Sequence, residues 1–398
     1  MRASLILLLL VLVIDAALEW YILRQIRSRV RNRKTLWWRA ELWSSILFFA
    51  LLVAAIIVPA GSETRGLLLT KMWLLFTFFS TFVAKLIAVI FDLLASVPRL
   101  FGHKRIKALT VTGIALALII FLSMWWGALI NRFRIDVNEV TVEVTVLPQS
   151  FDGYSIVQFS DLHTGTYGND TTFVSRLVDR INGLHGDAIM FTGDIINSES
   201  VELTPFISPL SRLKAPDGVF AILGNHDYGD YTRWETPQHK VANMDSLFSF
   251  YRRTGMDLLR NETRWIRRGG DSIAVIGVEN IGEPPFPVYG SLTSSYPTLD
   301  DDVTKILLTH NPRHWVDSIQ NNDNVRIQLA LSGHTHAMQI EVGGVSPASL
   351  RYETWGGLYA DSHEHHQLYV NIGAGTVGIP MRIGATPEIT VITLRRRK

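Results

Sequence analysis

Four long apolar runs near the N-terminus constrain the fold of this 398-residue chain more than any other feature. About 20 consecutive apolar residues suffice for one helix to cross the hydrocarbon core of a bilayer. Because buried core helices rarely follow one another in this way, the sequence predicts a four-span transmembrane domain over residues 1–131. Arg2 is the only charged residue before the first run, and dense basic sequence follows the run. Both features disfavour a cleaved signal peptide. The runs occupy residues 3–23, 40–60, 67–95 and 108–130.

The segments between these runs differ in charge. Seven basic residues separate the first run from the second and four separate the third from the fourth, whereas the middle segment has Arg65 offset by Glu63. By the positive-inside rule the two basic segments are cytoplasmic. Four spans then place the chain after residue 130 outside the cytoplasm, in a multi-pass protein of the inner (cell) membrane. The basic residues are Arg24, Arg27, Arg29, Arg31, Arg33, Lys34 and Arg39, followed by Arg99, Lys104, Arg105 and Lys107.

Several charged residues lie inside the apolar runs, among them Asp15, Glu19, Lys85 and Asp92. Charges at membrane depth are costly and usually face partners within a helix bundle. We therefore expect Asp15 or Glu19 to pair with Lys85 as a structural contact, with a proton-relay role as the alternative.

The pattern changes after residue 131. The stretch VNEVTVEVTVLP alternates apolar and polar residues, which predicts a half-buried strand. We assign residues 132–150 to a linker and first strand, and residues 151–398 to a soluble domain large enough for its own core. The chain has no cysteine, which excludes disulfides, thiolate ligands and a cysteine nucleophile. Its net charge of +2 gives no reason to expect nucleic acid as a partner.

Five short apolar runs in the soluble part each lead into a polar cluster. Runs of this kind predict buried strands, and TTFVSRLVDRINGL predicts an amphipathic crossover helix. Ligands of such α/β folds bind where the strands end at their carboxyl edge, so the polar clusters should converge in one cleft. In chain order, SIVQF leads into SDLH, AIMFT into GD, VFAIL into GNHD, KILLT into HNP, and IQLAL into SGHTH.

The five clusters together contain a set of oxygen and nitrogen ligands. A single histidine after a strand is usually a hydrogen-bonded loop residue, and a single Asp after Gly is usually a turn former. Recurrence at five strand ends instead favours a metal site, with about the ligands that two divalent ions sharing a carboxylate require. The residues are Asp161, His163, Asp194, Asn225, His310, His334 and His336.

The ordered motifs DLH, GD, GNHD, TH and GHTH resemble the signature of calcineurin-like metallophosphoesterases. The stretches SDLHTG, LLTHNP, SGHTH and GIPMRIGATPEITVI are most similar to the membrane-anchored bacterial branch of that family. The resemblance covers nearly all of the soluble part. It implies an α/β fold in which two mixed β-sheets pack face to face with helices outside, and a hydrolytic site with two divalent metals (Mn, Fe or Zn).

The resemblance also implies a role for each matching residue. His226 would be the catalytic histidine that reaches the phosphate, with Asp227 fixing its orientation and raising its basicity. The ligand roles are Asp161, His163 and His336 for the first metal, Asn225, His310 and His334 for the second, and Asp194 bridging both.

The expected reaction is hydrolysis of a phosphate mono- or diester, in a phosphorylated small molecule or lipid, by a hydroxide held between the metals. One alternative is a UDP-diacylglucosamine-type lipid pyrophosphatase, whose substrate class is normally cytoplasmic and so conflicts with the predicted orientation. Another is a non-catalytic membrane sensor, which the complete ligand set disfavours. A nuclease is disfavoured because the domain has no long basic stripe.

Two positions depart from the family pattern. Asn197 stands where many relatives have a second acidic residue, and Ala337-Met338 follow GHTH where relatives often have a glycine pair. Neither removes a ligand, so we expect tuning rather than loss, with substrate preference set near Ala337-Met338. The run DSHEHHQ, with His363, His365 and His366 beside Glu364, is interpreted as an exposed loop that lines the cleft's rim at most.

Overall fold

The computed structural model describes residues 2–29, 36–57, 65–284, 286–296, 303–320, 322, 324–362 and 365–397. The chain divides into two compact units, residues 1–59 with 70–128 and residues 60–69 with 129–398. The division into residues 1–131, 132–150 and 151–398 stays a prediction.

The first unit is helical in its described part. Its helices are α1 (Arg2–Arg29), α2 (Leu36–Ile57), α3 (Arg65–Ser96) and α4 (Lys107–Leu129). Two helical segments of the described chain, Leu68–Phe101 and Lys107–Phe133, are long and apolar enough to cross a membrane. These segments contain α3 and α4, so the spanning of α1 and α2 stays a prediction.

Glu19 is paired with Lys85, as the sequence led us to expect, and Asp92 is also paired. The Lys85 ammonium donates to Glu19 Oε1 at 2.6 Å and lies 3.4 Å from Glu41 Oε1. The Asp92 carboxylate accepts from the Tyr21 hydroxyl at 2.7 Å and forms an ion pair with Arg105. A charge removed from water is costly unless a partner offsets it, so these contacts support the structural account of the charged residues.

The second unit contains twelve strands and five helices in its described part. The strands are β1 (Asp136–Val144), β2 (Ser155–Phe159), β3 (Ala188–Phe191), β4 (Val219–Ala221), β5 (Asp257–Leu258), β6 (Glu262–Arg268), β7 (Asp271–Gly277), β8 (Lys305–Leu308), β9 (Leu329–Ser332), β10 (Gly357–Ala360), β11 (Gln367–Val370) and β12 (Glu388–Arg396). The helices are α5 (Thr172–Asn182), α6 (Ile207–Leu210), α7 (Pro237–Thr254), α8 (Leu292–Ser295) and α9 (Arg313–Ser318).

The strands form two six-stranded mixed sheets, in the orders β1-β12-β2-β3-β4-β5 and β10-β11-β9-β8-β7-β6. Strands β2, β3 and β4 run parallel to one another, as do β7, β8, β9 and β11, while β12 is antiparallel to β2. This is the calcineurin-like α/β architecture that the sequence predicted for the soluble part.

One apolar core joins the two sheets. Ile156 of β2 and Met190 of β3 pack in it together with Val275, Ile306 and Leu331 of the second sheet, and all five are fully buried. Burial of this kind is the main favourable term in folding, so this layer fixes how the ends of the two sheets face each other.

Each sheet is covered on its outer face. Phe173 of α5 and Leu247 of α7 belong to a second core with Phe159 and Phe191 of the first sheet. Trp315 of α9 packs in a third core with Leu307 and Ala330 of the second sheet. A strand buried on both faces reads as an unbroken apolar run, which is why the five runs were recognisable in the sequence.

All five predicted strands are present, as β2, β3, β4, β8 and β9, and the predicted crossover helix is α5. The alternating stretch forms β1, an edge strand that pairs in parallel with β12. The first three runs lie in one sheet and the last two in the other. The polar clusters therefore approach one another from two sheets rather than along one edge.

The run DSHEHHQ is only partly exposed. His365 is exposed, but His366 is buried and its Nδ1 donates to the Ile327 carbonyl at 2.8 Å. The expectation of an exposed loop is therefore wrong for His366, because a main-chain acceptor satisfies the ring inside the domain. His363 and Glu364 lie outside the described residues.

Candidate metal centre and active site

The strand ends bring the seven predicted ligand residues into one cluster. Potential ligand atoms lie within 4.8 Å of one another in three groups, Asp161-His163-His336, His163-Asp194-His226 and Asp194-His310-His334. Asn225 joins the third group, since its Oδ1 lies 2.8 Å from His334 Nδ1 and 3.0 Å from His310 Nε2. The groups share His163 and Asp194, so they form one continuous site.

The backbone at these positions is strained. Five of the seven residues have positive φ, between 46° and 76°: Asp161, His163, Asp194, His334 and His336. Non-glycine residues adopt this region rarely, and such outliers cluster at functional sites, where the surrounding structure must hold them in place. The strain supports a functional role for these strand-end turns.

Gly333 lets two of these turns approach each other. A Cβ atom on Gly333 would lie 2.0 Å from Ser160 Oγ and 2.2 Å from Asp161 Oδ2, closer than any atoms can pack. The next residue, His334, donates its main-chain N–H to both carboxylate oxygens of Asp161 at 3.1 and 3.0 Å. Only glycine allows the backbone to come this close to the site.

Main-chain carbonyls set the orientation of two imidazoles. His163 Nδ1 lies 3.1 Å from the Ile196 carbonyl oxygen, and His310 Nδ1 lies 2.8 Å from the Thr192 carbonyl oxygen. A carbonyl oxygen only accepts, so Nδ1 carries a hydrogen in both rings. The Nε2 atom of each ring therefore faces the cluster, which is the usual arrangement of a metal-binding histidine.

These Nε2 atoms face oxygen and nitrogen atoms of other ligand residues. His310 Nε2 lies 3.1 Å from Asp194 Oδ2 and 3.0 Å from Asn225 Oδ1, and His163 Nε2 lies 3.0 Å from His336 Nε2. The Asn225 amide cannot turn freely, because its Nδ2 donates to the Tyr231 hydroxyl at 2.8 Å. Nitrogen and oxygen atoms grouped at these separations, with no sulfur among them, form a donor set that fits divalent metal ions.

Burial and neighbouring charges shift the pKa values of the histidines in the cluster. Burial opposes a charge on His310, yet the Asp194 and Asp161 carboxylates raise its pKa to about 9. Burial and the neighbouring His310 lower the pKa of His334 to about 3. Burial, with His226 and His336 nearby, holds the pKa of His163 well below its usual range. The cluster thus draws positive charge towards Asp194 while keeping His163 and His334 neutral, as metal ligands require.

The contacts of Asp227 differ from its predicted role of orienting His226. Its buried carboxylate accepts main-chain N–H groups from Gly224, Asp194, Ile195 and Ile196 at 2.9 to 3.2 Å. It therefore links the turns after β3 and β4 and does not contact the His226 ring, which has a different partner.

The ring of His226 is oriented by main chain. His226 Nδ1 lies 2.7 Å from the Asn197 carbonyl oxygen. Glu202 holds that segment, because its carboxylate accepts the N–H groups of Asn197, Ser198 and Glu199 at 2.7 to 3.0 Å. Any residue at position 197 would supply this main-chain carbonyl. The asparagine side chain at this position is therefore expected to tune the site without removing the contact to His226.

One aromatic side chain lines the open side of the site. The Tyr231 ring stacks on the His226 ring with centroids 4.3 Å apart and planes at 20°, and Tyr231 is 45% exposed. Phe286 extends the wall, with its ring centroid 5.2 Å from that of Tyr231. Tyr228, in contrast, is buried, and its ring stacks on that of Tyr289 with centroids 3.8 Å apart.

Ala337 and Met338 both have left-handed backbone, with φ of 50° and 46°. Glycine adopts this region at no steric cost, whereas other residues pay roughly 1–2 kcal/mol each. Met338 is also 44% exposed, which suits a residue that tunes substrate preference.

Comparison with known proteins gives two matching family models. Residues 1–132 match "Probable Calcineurin-like phosphoesterase, transmembrane domain", and residues 154–338 match "Calcineurin-like phosphoesterase". The metallophosphoesterase YkuE of Bacillus subtilis is 33% identical over 270 residues, which cover 66% of this chain and 86% of that protein. The chain belongs to the calcineurin-like metallophosphoesterase family.

A metallophosphoesterase relative from Danio rerio is described as a transmembrane protein with metallophosphoesterase domain. It is 32% identical over 267 residues, and the match spans 65% of this chain but only 57% of that protein. Among solved structures, the Termus thermophilus sulfate thiohydrolase SoxB, in complex with glycerol, is 14% identical over 63% of this chain and 57% of its own, with a TM-score of 0.33.

The metallophosphoesterase unit contains a residue that our motif reading missed. Arg382 is fully buried and donates to the carbonyls of Gly375, Ala385 and Ile372 at 2.7 to 3.0 Å. Its Nη2 also lies 3.2 Å from His336 Nδ1. Burial lowers the pKa of Arg382 only to about 10, so it stays charged at neutral pH. The one signal in the sequence is a lone arginine inside the otherwise apolar GIPMRIGA.

We expect Asp194→Asn to remove bound metal from this metallophosphoesterase. The amide keeps an oxygen for the His226 N–H, which Asp194 Oδ1 accepts at 2.8 Å, but it lacks the charge between the ligand groups. Elemental analysis of the purified protein measures the loss. Asp187→Asn, a carboxylate at the start of the same strand that contacts Ser155 and Arg268, serves as the control. A wild-type metal content in Asp194→Asn would contradict the assignment.

Arg382→Lys should weaken metal binding by roughly 10–100-fold, the usual effect of losing a contact that orients a ligand. Lysine keeps the charge but lacks the planar donors that reach three carbonyls and His336. Chelator competition measures the affinity, and thermal unfolding measures stability. Arg268→Lys, at an ion-paired arginine contacting Asp187 and Asp217, is the matched control. A loss of stability with unchanged affinity would make Arg382 purely structural.

Proposed function

We propose that this protein is an integral-membrane phosphoesterase that hydrolyses phosphate mono- or diesters with two divalent metal ions. The observation that carries the proposal is the position of Asp194. Its Oδ2 lies 3.7 Å from His163 Nε2 on one side and 3.1 Å from His310 Nε2 on the other. A carboxylate placed between two histidine groups is suited to bridging two cations.

The ligand assignment follows from these groups. Asp161, His163 and His336 would hold the first ion, and Asn225, His310 and His334 the second. Nitrogen and oxygen ligands without sulfur suit manganese, iron or zinc. When bound, two such ions supply Lewis-acid chemistry, which polarises the phosphoryl oxygens and lowers the pKa of a nucleophilic water.

His226 is placed to handle the proton of the leaving group. Its ring lies edge-on to that of His163, with centroids 4.8 Å apart, and its main-chain N–H is held by Asp194. Because Nδ1 is bound to the Asn197 carbonyl, Nε2 is the ring atom left to face substrate. As the bond from water oxygen to phosphorus forms and the ester bond breaks, protonated His226 gives its Nε2 proton to the departing oxygen.

The substrate we propose is a phosphorylated small molecule or lipid. The exposed faces of Tyr231 and Phe286 beside His226 offer an apolar wall for the part of the substrate attached to phosphate. Nucleic acid is not an expected partner, because the sequence of the domain has no long basic stripe for a phosphate backbone.

The membrane location is proposed from several observations. The transmembrane family model covers residues 1–132, and two helical segments have the length and apolar character of spans. With the basic segments between the apolar runs, these support a four-span protein of the inner (cell) membrane whose catalytic unit is extracytoplasmic.

We expect His226→Ala to lower turnover on alkyl phosphates by roughly 10²–10⁴-fold, the usual contribution of a general acid. Bound metal should remain near the wild-type amount, and an activated aryl phosphate, whose leaving oxygen needs no proton, should lose far less. His239→Ala, at an exposed histidine on α7, provides the control. Wild-type turnover of the alkyl phosphate by His226→Ala would exclude the acid role.

A reporter fused after Lys398 tests the orientation. We expect a periplasm-active phosphatase fusion to be active and a cytoplasm-only fluorescent fusion to be dark, because the two strongly basic segments retain their side of the membrane. The reverse pattern would place the catalytic unit in the cytoplasm, and would revive the nucleotide-linked lipid pyrophosphatase as the function.

A further inference from the structure

The helical unit contains a cavity that the phosphoesterase reaction does not use. It has a volume of about 400 Å³ and lies between α1, α3 and α4. Small side chains make room for it, including Ala84 and Ala88 on α3 and Ala117 on α4, while Ile22 and Phe121 supply apolar walls. This volume is within the range of about 300–1,000 Å³ that is usual for sites of small molecules.

A second cavity, of about 320 Å³, adjoins the first at Thr110, which lines both. Its other lining residues are Arg99, Arg105, Lys107 and Val111, so three basic side chains surround it. An apolar cavity that continues into a basic one matches the shape and polarity of an amphiphile with an acyl chain and an anionic headgroup.

Two of the three basic groups remain open to a ligand. Arg105 is engaged by the Asp92 carboxylate and by the Thr110 hydroxyl. For Arg99 and Lys107 the structure, over the residues it describes, gives no ion pair with a carboxylate. The basic cavity therefore has an excess of positive charge.

We propose that these two cavities together bind one anionic phospholipid. The acyl chain occupies the cavity at Ala88 and Ala117, and the phosphate lies between Arg99 and Lys107. Basic pockets between transmembrane helices on the cytoplasmic side are suited to anionic headgroups, and that leaflet supplies the lipid at high local concentration. A free phosphate would leave the apolar cavity unused. The inference rests on the membrane location proposed above and is independent of the hydrolytic activity.

The test uses the full chain purified in detergent. Thermal unfolding is followed with added phosphatidylglycerol, with phosphatidylcholine of the same chain length, and with inorganic phosphate. We expect phosphatidylglycerol alone to raise the unfolding temperature in a concentration-dependent way, since a ligand that binds the folded state stabilises it. Equal effects of both lipids would overturn the headgroup assignment. An equal effect of inorganic phosphate would overturn the choice of a lipid.

Variants locate the site. Arg99→Gln combined with Lys107→Gln should weaken phosphatidylglycerol binding by roughly 30-fold, the loss expected for two basic side chains near an anionic headgroup. Ala88→Phe should abolish the shift by filling the apolar cavity while leaving the charges in place. Lys104→Gln removes a basic residue of the same segment that does not line either cavity, and should bind as the wild type does.

Equal weakening by Lys104→Gln, or no effect of Ala88→Phe, would exclude these cavities as the site. Hydrolysis is assayed in parallel and should match the wild type in all three variants. In the wild-type protein, absence of the lipid effect with hydrolysis intact refutes the lipid site alone, and absence of hydrolysis with the lipid effect intact refutes the proposed function alone. Failure of the protein to fractionate with membranes would remove the location on which the inference rests.

Discussion

Burial of the Asp194 carboxylate is the constraint on which the metallophosphoesterase unit depends. Its Oδ2 lies 3.1 Å from His310 Nε2, which in turn lies 3.0 Å from Asn225 Oδ1. A carboxylate removed from water needs a compensating positive charge, which a proton on His310 or bound cations can provide. The carbonyls of Ile196 and Thr192 serve this end by fixing which nitrogen of a ring points inwards.

The apolar layer between the sheets supplies the rigidity that this arrangement needs. Ligand turns with positive φ and buried carboxylates each cost free energy, and only a well-packed support keeps them in place. β2 and β3 bring Asp161 and Asp194 from one sheet, while β8 and β9 bring His310 and His334 from the other. The site therefore depends on how the two sheets pack, not on any one strand.

The local sequence pattern predicted the strands and the polar residues at their ends. The apolar runs that became β2, β3, β4, β8 and β9 are buried on both faces, and their polar ends follow directly in the chain. The direction in which a buried side chain points could not be predicted in this way, because partners distant in the sequence determine it. Asp227 turns towards the main chain of another turn, and His366 towards Ile327. Arg382 was missed because its contact with the site is to His336, which lies 46 residues away in the chain.

One hydrogen bond bears on where the chain can be cut to give a soluble fragment. The Asn131 side chain, only two residues beyond α4, is buried and donates to the carbonyl of Arg382 at 3.0 Å, while Arg382 itself abuts His336. The segment that follows α4 is thus linked through Arg382 to His336 of the candidate metal centre. A soluble fragment that begins at β1 would lack this link, so low metal occupancy in such a fragment would report on the position of the cut and not on the intact protein.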